Sequence, residues 1–302
     1  MVFLTKLMSL NLLKTASLAV RAFSTKAKLF PREDSTTKQI VLKYLDGKDN
    51  GIAVLGLNRP EARNALGRSL VRQLTEAIST IQQDKKIRVL ILRSFVPDVF
   101  CAGADLHERS KMDSQEVANF VNSLRNLMND LSALSAPVIS ALDGIAFGGG
   151  LEMALASDIR TTTDETKMGL VETKLAIIPG AGGTQRLPRI IGPAMAKELI
   201  YTARILNGIE AQKIGLVNRV VSQNKQADAA YQSALTIARE ILPNGPIGVK
   251  LAKVAISKGI EVSIEKGMEI EKQCYSQLID TEDRIEGLAA FASKRVPVYR
   301  GL

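Results

Sequence analysis

The run Asp143-Gly144-Ile145-Ala146-Phe147-Gly148-Gly149-Gly150-Leu151-Glu152 concentrates features that chemistry needs. Three consecutive glycines stand directly before an apolar helical stretch, Leu151, Met153, Ala154, Leu155 and Ala156. Backbone N–H groups are then open to a ligand at the positive end of a helix dipole. That is a place to stabilise a developing oxyanion. Glu152 lies in the first helical turn, and Glu172 follows twenty residues later in Met168-Gly169-Leu170-Val171-Glu172. A carboxyl among Leu, Met and Val is a candidate for a raised pKa and so for proton transfer. The third piece is Phe100-Cys101-Ala102-Gly103-Ala104-Asp105-Leu106, a strand-to-helix turn whose small residues let a ligand approach the backbone. Each piece also has a plainer explanation. A glycine triplet packs tightly, Glu152 suits the helix dipole, and Glu172 opens a helix in a sheltered pocket. Their joint occurrence is what points to catalysis.

Other chemistries lose their support. Gly180-Ala181-Gly182-Gly183-Thr184-Gln185 is glycine-rich but lacks the Lys-Ser/Thr of a phosphate loop and the last glycine of a dinucleotide fingerprint. One histidine, His107, and two cysteines, Cys101 and Cys274, are too few for a Cys/His zinc site or a disulfide scaffold, so no metal is expected. No G-x-S-x-G elbow accompanies His107 to make a serine hydrolase.

The elements that must position these residues alternate. Ile40–Leu45 and Ile52–Leu57 flank turn residues and read as a hairpin. Residues 66–83 carry Leu66, Leu70, Leu74, Ile78 and Ile81 at helical spacing. Strands are expected over Val89–Leu92 and Val138–Ala141, with a helix over Gln115–Leu134 between them. The alternation means an α/β fold. Beyond residue 193, Ala194–Thr202, Glu210–Ile214, Ala227–Leu242, Ile247–Lys258 and Ser263–Gln277 all read as helices. No internal repeat of fixed period and no long linker divides the chain.

Composition bounds the class. At 302 residues, 46% hydrophobic and 24% charged, the chain is a globular protein with a sizeable core. No apolar run is long enough to span a bilayer. The net charge of +9 sits mostly in a leader, where Lys6, Lys14, Arg21, Lys26, Lys28 and Arg32 precede the first acid, Glu33. A helix there would carry one cationic stripe. Residues 1–32 therefore read as a mitochondrial transit peptide, with Arg21-Ala22-Phe23-Ser24 as a matrix-processing pattern and cleavage near residues 23–34. The mitochondrial matrix is the expected compartment.

From about residue 39 to the C-terminus the sequence resembles the crotonase, or enoyl-CoA hydratase/isomerase, superfamily. The blocks that carry the likeness are Leu57-Asn58-Arg59-Pro60, Asn64-Ala65-Leu66, Phe100–Leu106, Asp143–Glu152, Asp158-Ile159-Arg160, Glu172 and Ile178–Pro188. Within the superfamily the likeness is greatest to the AU-binding (methylglutaconyl-CoA) hydratase branch and to the mitochondrial enoyl-CoA hydratase domain-containing branch. The resemblance implies a spiral of ββα units over residues 38–193. Residues 194–302 would form a mostly helical region that completes the site and holds a homotrimer or hexamer together.

It also implies roles. Ala104 and Gly149 would supply the two oxyanion-hole N–H groups, Glu152 and Glu172 the catalytic carboxyls, and Gly180 a backbone position that holds water. Coenzyme A, part of the substrate rather than a separate cofactor, would rest on Arg59, Ala62, Ala102, Gly103, Asp105, Leu106, His107, Phe291 and Lys294. His107 departs from the lysine of many members, and Arg295 and Arg300 either compensate or are solvated tail residues. Both carboxyls together favour a hydratase acting on 3-methylglutaconyl-CoA in leucine degradation or on a short-chain enoyl-CoA in fatty-acid oxidation. The alternatives are an enoyl-CoA isomerase and a protein that binds AU-rich RNA through Arg68 and Arg72. Glu76 beside those arginines makes that a weak phosphate footprint.

Overall fold

The computed structural model describes residues 38–302; the leader expected over residues 1–32 lies outside them. Strands β1 (Ile40–Tyr44) and β2 (Ile52–Leu57) form the expected antiparallel hairpin, with Ile40 opposite Leu57 and Tyr44 opposite Ala53. Helix α1 (Arg68–Gln83) follows and buries Leu70, Val71, Leu74, Ala77, Ile78 and Ile81 on one face.

Three turns of strand, strand and helix then repeat. The first comprises β3 (Val89–Ser94), β4 (Val99–Cys101), the short α2 (Leu106–Arg109) and α3 (Ser114–Ala133). The second is β5 (Val138–Leu142), β6 (Ile145–Phe147) and α4 (Gly149–Leu155). The third is β7 (Ile159–Thr163), β8 (Met168–Gly169), a 3₁₀ turn at Glu172–Leu175 and α5 (Gly183–Ile191). There follow α6 (Pro193–Thr202), α7 (Gly208–Lys213), β9 (Arg219–Val221), α8 (Ala229–Ile241), α9 (Pro246–Gly259), α10 (Ile264–Ser276) and α11 (Glu282–Ala292).

The first strand of each turn joins a six-stranded sheet in the order β1-β2-β3-β5-β7-β9, parallel beyond the hairpin. The second strand joins a separate parallel sheet, β4-β6-β8. This is the spiral of ββα units that the family resemblance implies. A capping box starts α3, in which Asp113 Oδ1 accepts from the Glu116 amide at 2.8 Å and Glu116 Oε2 accepts from the Asp113 amide at 3.0 Å. Between the large sheet and α1 and α3 lies the main core, with Leu57, Leu70, Leu92, Phe100, Leu127 and Met128 buried. On the sheet's other face, Ala230, Ala234, Leu235 and Ala238 of α8 cover Ile52, Val54, Val89, Ile91 and Ile139.

Several elements differ from the periodicity reading. The segment after residue 193 is helical except for β9, which extends the large sheet. Helix α5 forms although Pro188 lies inside it, and α11 adds a further helix near the C-terminus. Strand β7 buries Thr161, Thr162 and Thr163. Their hydroxyls stay satisfied: Thr161 donates to the Ala230 carbonyl at 2.8 Å and Thr162 to the Leu142 carbonyl at 3.2 Å.

Candidate active site

The small parallel sheet gathers the chemistry. Strands β4, β6 and β8 point the same way, so the segments leaving their C-terminal ends fall side by side. These segments are Ala102–Asp105, Gly148–Gly150 and Leu170–Glu172. Glycine is required at Gly148, whose φ of +50° caps α4. It is required at Gly150 for another reason: a Cβ there would collide with the Cys101 carbonyl oxygen. Between them, the Gly149 amide makes no hydrogen bond among the described residues, and neither does the Ala104 amide. A methyl placed on Gly149 would lie 3.8 Å from the Ala104 nitrogen and 4.0 Å from Glu152 Oε2. Two open N–H groups and a carboxylate thus face one point.

The loop that bears Ala104 is braced from beneath. Asn64, fully buried at φ 54°, accepts from the Arg59 amide at 2.8 Å and donates to the Phe100 carbonyl at 3.0 Å. Arg59 is only 4% exposed, pairs with Asp105 at 2.9 Å and donates to the Ala65 carbonyl at 2.7 Å. Asp105 also caps α2 through the amides of His107 and Glu108, both at 3.0 Å. The Arg59 and Asp105 side chains are thus engaged within the loop.

Glu152 sits on α4, 3% exposed. Its Oε1 accepts from the amides of Ala181 at 2.8 Å and Gly183 at 2.7 Å. Burial pushes its pKa up, while those two amides, Arg186 and Arg125 oppose the rise. Glu172 opens the 3₁₀ turn against Gly148, where a Cβ would stand 3.0 Å from its Oε1. Its Oε2 is buried and makes no hydrogen bond among the described residues. Burial first, and then the nearby charge of Glu152, push Glu172 up to about 7. One carboxyl is held by amides that favour its ionised form, and the other lacks such donors on Oε2. Neighbouring carboxyls with unlike environments can serve as base and acid at one pH.

Both open onto a cavity of about 1010 Å³. Among the residues singled out from the sequence, Ala102, Gly103, Ala104, Leu106, Gly149, Glu152, Glu172 and Gly180 line it. Arg59, Ala62, Asp105, His107, Phe291 and Lys294 do not line it. The exposed His107 ring instead meets Lys111 Nζ at 2.8 Å. Arg68 is engaged by Glu116 of α3 at 2.8 Å, while Arg72 is exposed. Sequence reasoning missed Ala181 and Gly183 as holders of Glu152. Their signal was the glycine run at 180–183, of which the sequence reading assigned a role to Gly180 alone.

The spiral thus brings two open amides, the buried carboxyl of Glu152 and the half-buried carboxyl of Glu172 to one cavity. Residues 47–301 match the enoyl-CoA hydratase/isomerase family, and the chain belongs to that family. Mouse mitochondrial methylglutaconyl-CoA hydratase is 52% identical over 272 residues, 90% of this chain and 87% of that relative. Human enoyl-CoA hydratase domain-containing protein 2, also mitochondrial, is 54% identical over 263 residues, 87% of this chain and 90% of that one. Among solved structures, the enoyl-CoA hydratase of Bacillus anthracis gives a TM-score of 0.83 at 44% identity, covering 88% of this chain and all of that one.

Proposed function

We propose that this protein is an enoyl-CoA hydratase of the mitochondrial matrix, adding water across the 2,3 double bond of a short or branched enoyl-CoA. The substrate favoured is 3-methylglutaconyl-CoA, the acyl-CoA named in the mouse relative. One observation carries the reading: two carboxyls in unlike environments flank the open amides of Ala104 and Gly149. Isomerases of the family often lack one of the two carboxyls, so having both favours the hydratase. The RNA-binding alternative draws on Arg68 and Arg72, and Arg68 is already paired with Glu116.

The thioester carbonyl sits between the two amides, and its oxygen takes up charge as the enolate forms. That makes Cβ electrophilic. Glu152, ionised, removes a proton from the water that attacks Cβ, while Gly180 contributes to the water's seat. Glu172, protonated, delivers its proton to Cα. Dehydration runs the roles in reverse. Coenzyme A is carried in as part of the substrate.

The apolar side chains of Ile256, Ile260, Ile264, Met268 and Phe291 are well exposed on a single chain, which supports assembly as a trimer, paired into a hexamer. The basic leader and the mitochondrial relatives support the compartment. Steady-state hydration of crotonyl-CoA and 3-methylglutaconyl-CoA tests the reading. Glu152→Gln and Glu172→Gln should each lower kcat by roughly 10²–10⁴-fold. The double variant should be far from multiplicatively worse, since both groups serve one transition state. Near-native turnover by either single variant would overturn the two-carboxyl mechanism.

A further inference from the structure

The block Asn64-Ala65-Leu66 lines no part of the cavity, yet it runs beside the loop that carries the Ala104 amide. The two segments form a short parallel ladder. The Ala102 amide donates to the Arg63 carbonyl at 3.1 Å, the Leu66 amide to the Gly103 carbonyl at 2.7 Å and the Asp105 amide to the Leu66 carbonyl at 3.1 Å. Leu66 and Ala104 are thereby paired in register. This pairing dictates where the Ala104 N–H points. In a trans peptide the carbonyl and the N–H of one plane face opposite ways, and no peptide among the described residues is cis. The Gly103 carbonyl faces Leu66, so the Ala104 N–H turns away from Leu66, to the cavity side.

Asn64 anchors that ladder. Besides its bonds to the Arg59 amide and the Phe100 carbonyl, Nδ2 donates to Ser94 Oγ at 2.8 Å. The three partners belong to three separate segments: the turn after β2, the end of β3 and strand β4. The Asn64 backbone adds two more ties. Its amide donates to the Arg59 carbonyl at 2.9 Å, and its carbonyl accepts from the Cys101 thiol at 3.0 Å. With the Asn64 side chain gone, the Arg59 amide and the Phe100 carbonyl would lose this partner in a dry interior, which is costly. The segment would shift to relieve that cost, and the ladder would carry the shift to the Ala104 peptide.

We propose that Asn64 is a positioning residue for the reaction: by tying the Arg59–Leu66 segment to β3 and β4, it aims the Ala104 N–H at the thioester oxygen. This rests on the enoyl-CoA reading of the same cavity. Asn64 itself does not line the cavity, so it acts on the polarisation of the carbonyl rather than on the grip on coenzyme A. Charge on the thioester oxygen grows toward the transition state, so a misaimed donor lowers kcat. Contacts to the rest of the substrate are the same in the ground and transition states, so KM stays.

Asn64→Gly removes the side chain, while glycine accepts the positive φ of this position. In steady-state hydration of crotonyl-CoA it should lower kcat by roughly 10- to 100-fold, the scale for a displaced oxyanion donor, with KM little changed. Isotope-edited infrared spectra of saturating butyryl-CoA, labelled at the thioester carbonyl carbon, read the donor without turnover because this ligand has no double bond to hydrate. The bound carbonyl stretch should lie below that of the free ligand in wild type and return toward the free value in Asn64→Gly. Ser94→Ala removes one partner and leaves Asn64 in place, so both readouts should move the same way by less. A wild-type kcat and carbonyl frequency in Asn64→Gly would overturn the proposal, leaving Asn64 to serve only its left-handed backbone. So would a raised KM with kcat unchanged, which would place Asn64 in coenzyme A binding. An unfolded Asn64→Gly beside an unaltered Ser94→Ala would overturn it as well. If Asn64→Gly abolishes a carbonyl shift seen in wild type, yet wild type hydrates no enoyl thioester, the hydratase mechanism falls and the positioning role stands.

Discussion

Glu172 is positioned at the expense of stability, and the size of that cost follows from its surroundings. Its Oε2 is buried without a hydrogen bond among the described residues, and Glu152 adds like charge. A carboxyl raised from 4.5 to about 7 costs about 3 kcal/mol once it is fully ionised in the folded protein. The sign follows from proton binding. Between pH 4.5 and 7 the folded chain binds more protons at Glu172 than the unfolded chain does, so stability falls as pH rises through this window. Below it the penalty is absent, and above it the penalty is complete. Glu172→Gln removes the ionisable group, so the variant's advantage over wild type should grow from near zero at pH 4.5 to about 3 kcal/mol at pH 8.5. For a chain of this size that is roughly 6–10 °C in Tm. Melting curves of both proteins across this pH range, in one buffer system at one ionic strength, measure the difference. A constant difference would refute the reasoning, because it would place the Glu172 carboxyl in ordinary solvent.

The same group sets the rate profile. In the proposed hydration Glu172 acts protonated, so kcat/KM, which reports the groups of the free enzyme, should fall as pH rises through about 7, and that limb should vanish in Glu172→Gln; a flat profile to pH 9 would contradict the assignment of the acid. Gly149→Ala puts a methyl 3.8 Å from the Ala104 nitrogen, inside the space an oxyanion would occupy, and 3.0 Å from Leu66 Cδ1. The protein should fold and lose roughly 10²–10³-fold in kcat, measured by steady-state hydration; a loss under tenfold would remove the amide pair from the mechanism. Light scattering at micromolar concentration should report a trimer or hexamer, and a monomer would leave the exposed apolar side chains of α9–α11 unexplained.

The parts of the fold visible in the sequence are those long enough to carry a period. Helix α1 repeats its apolar residues through about three turns, from Leu70 to Ile81, and the β1–β2 hairpin brackets obvious turn residues. The small sheet is invisible to the same reading, because β4, β6 and β8 span three, three and two residues. A strand of that length shows no alternation, and its partners are fixed only when the spiral closes. Strand β7 fails for a different reason: Ile-Arg-Thr-Thr-Thr looks polar, yet Arg160 and its threonines are buried because nearby carbonyls accept from them. The positions of the carboxyls and glycines could be picked from residue type, and the family resemblance ordered them. What residue type could not reveal is how Glu152 is held.

That hold explains why the glycine run at 180–183 belongs to the site although it fits no nucleotide motif. A carboxylate that is to act as a base must be kept ionised while nearly buried, and burial alone would neutralise it. The amides of Ala181 and Gly183 counter that at Oε1, and they leave Oε2 facing Gly149. Gly183 has no room for a side chain, since a Cβ would stand 3.0 Å from the same Oε1 and 2.9 Å from Leu170 and Pro179. Arg186 closes the arrangement by packing under Gly182 and donating to the Ala181 carbonyl, which fixes the peptide next to the donating amides. The loop therefore does for a carboxylate what a phosphate loop does for a phosphate: it turns two nearby backbone N–H groups toward one anion. The anion here is part of the protein, and so its charge can be returned to an incoming water as a base.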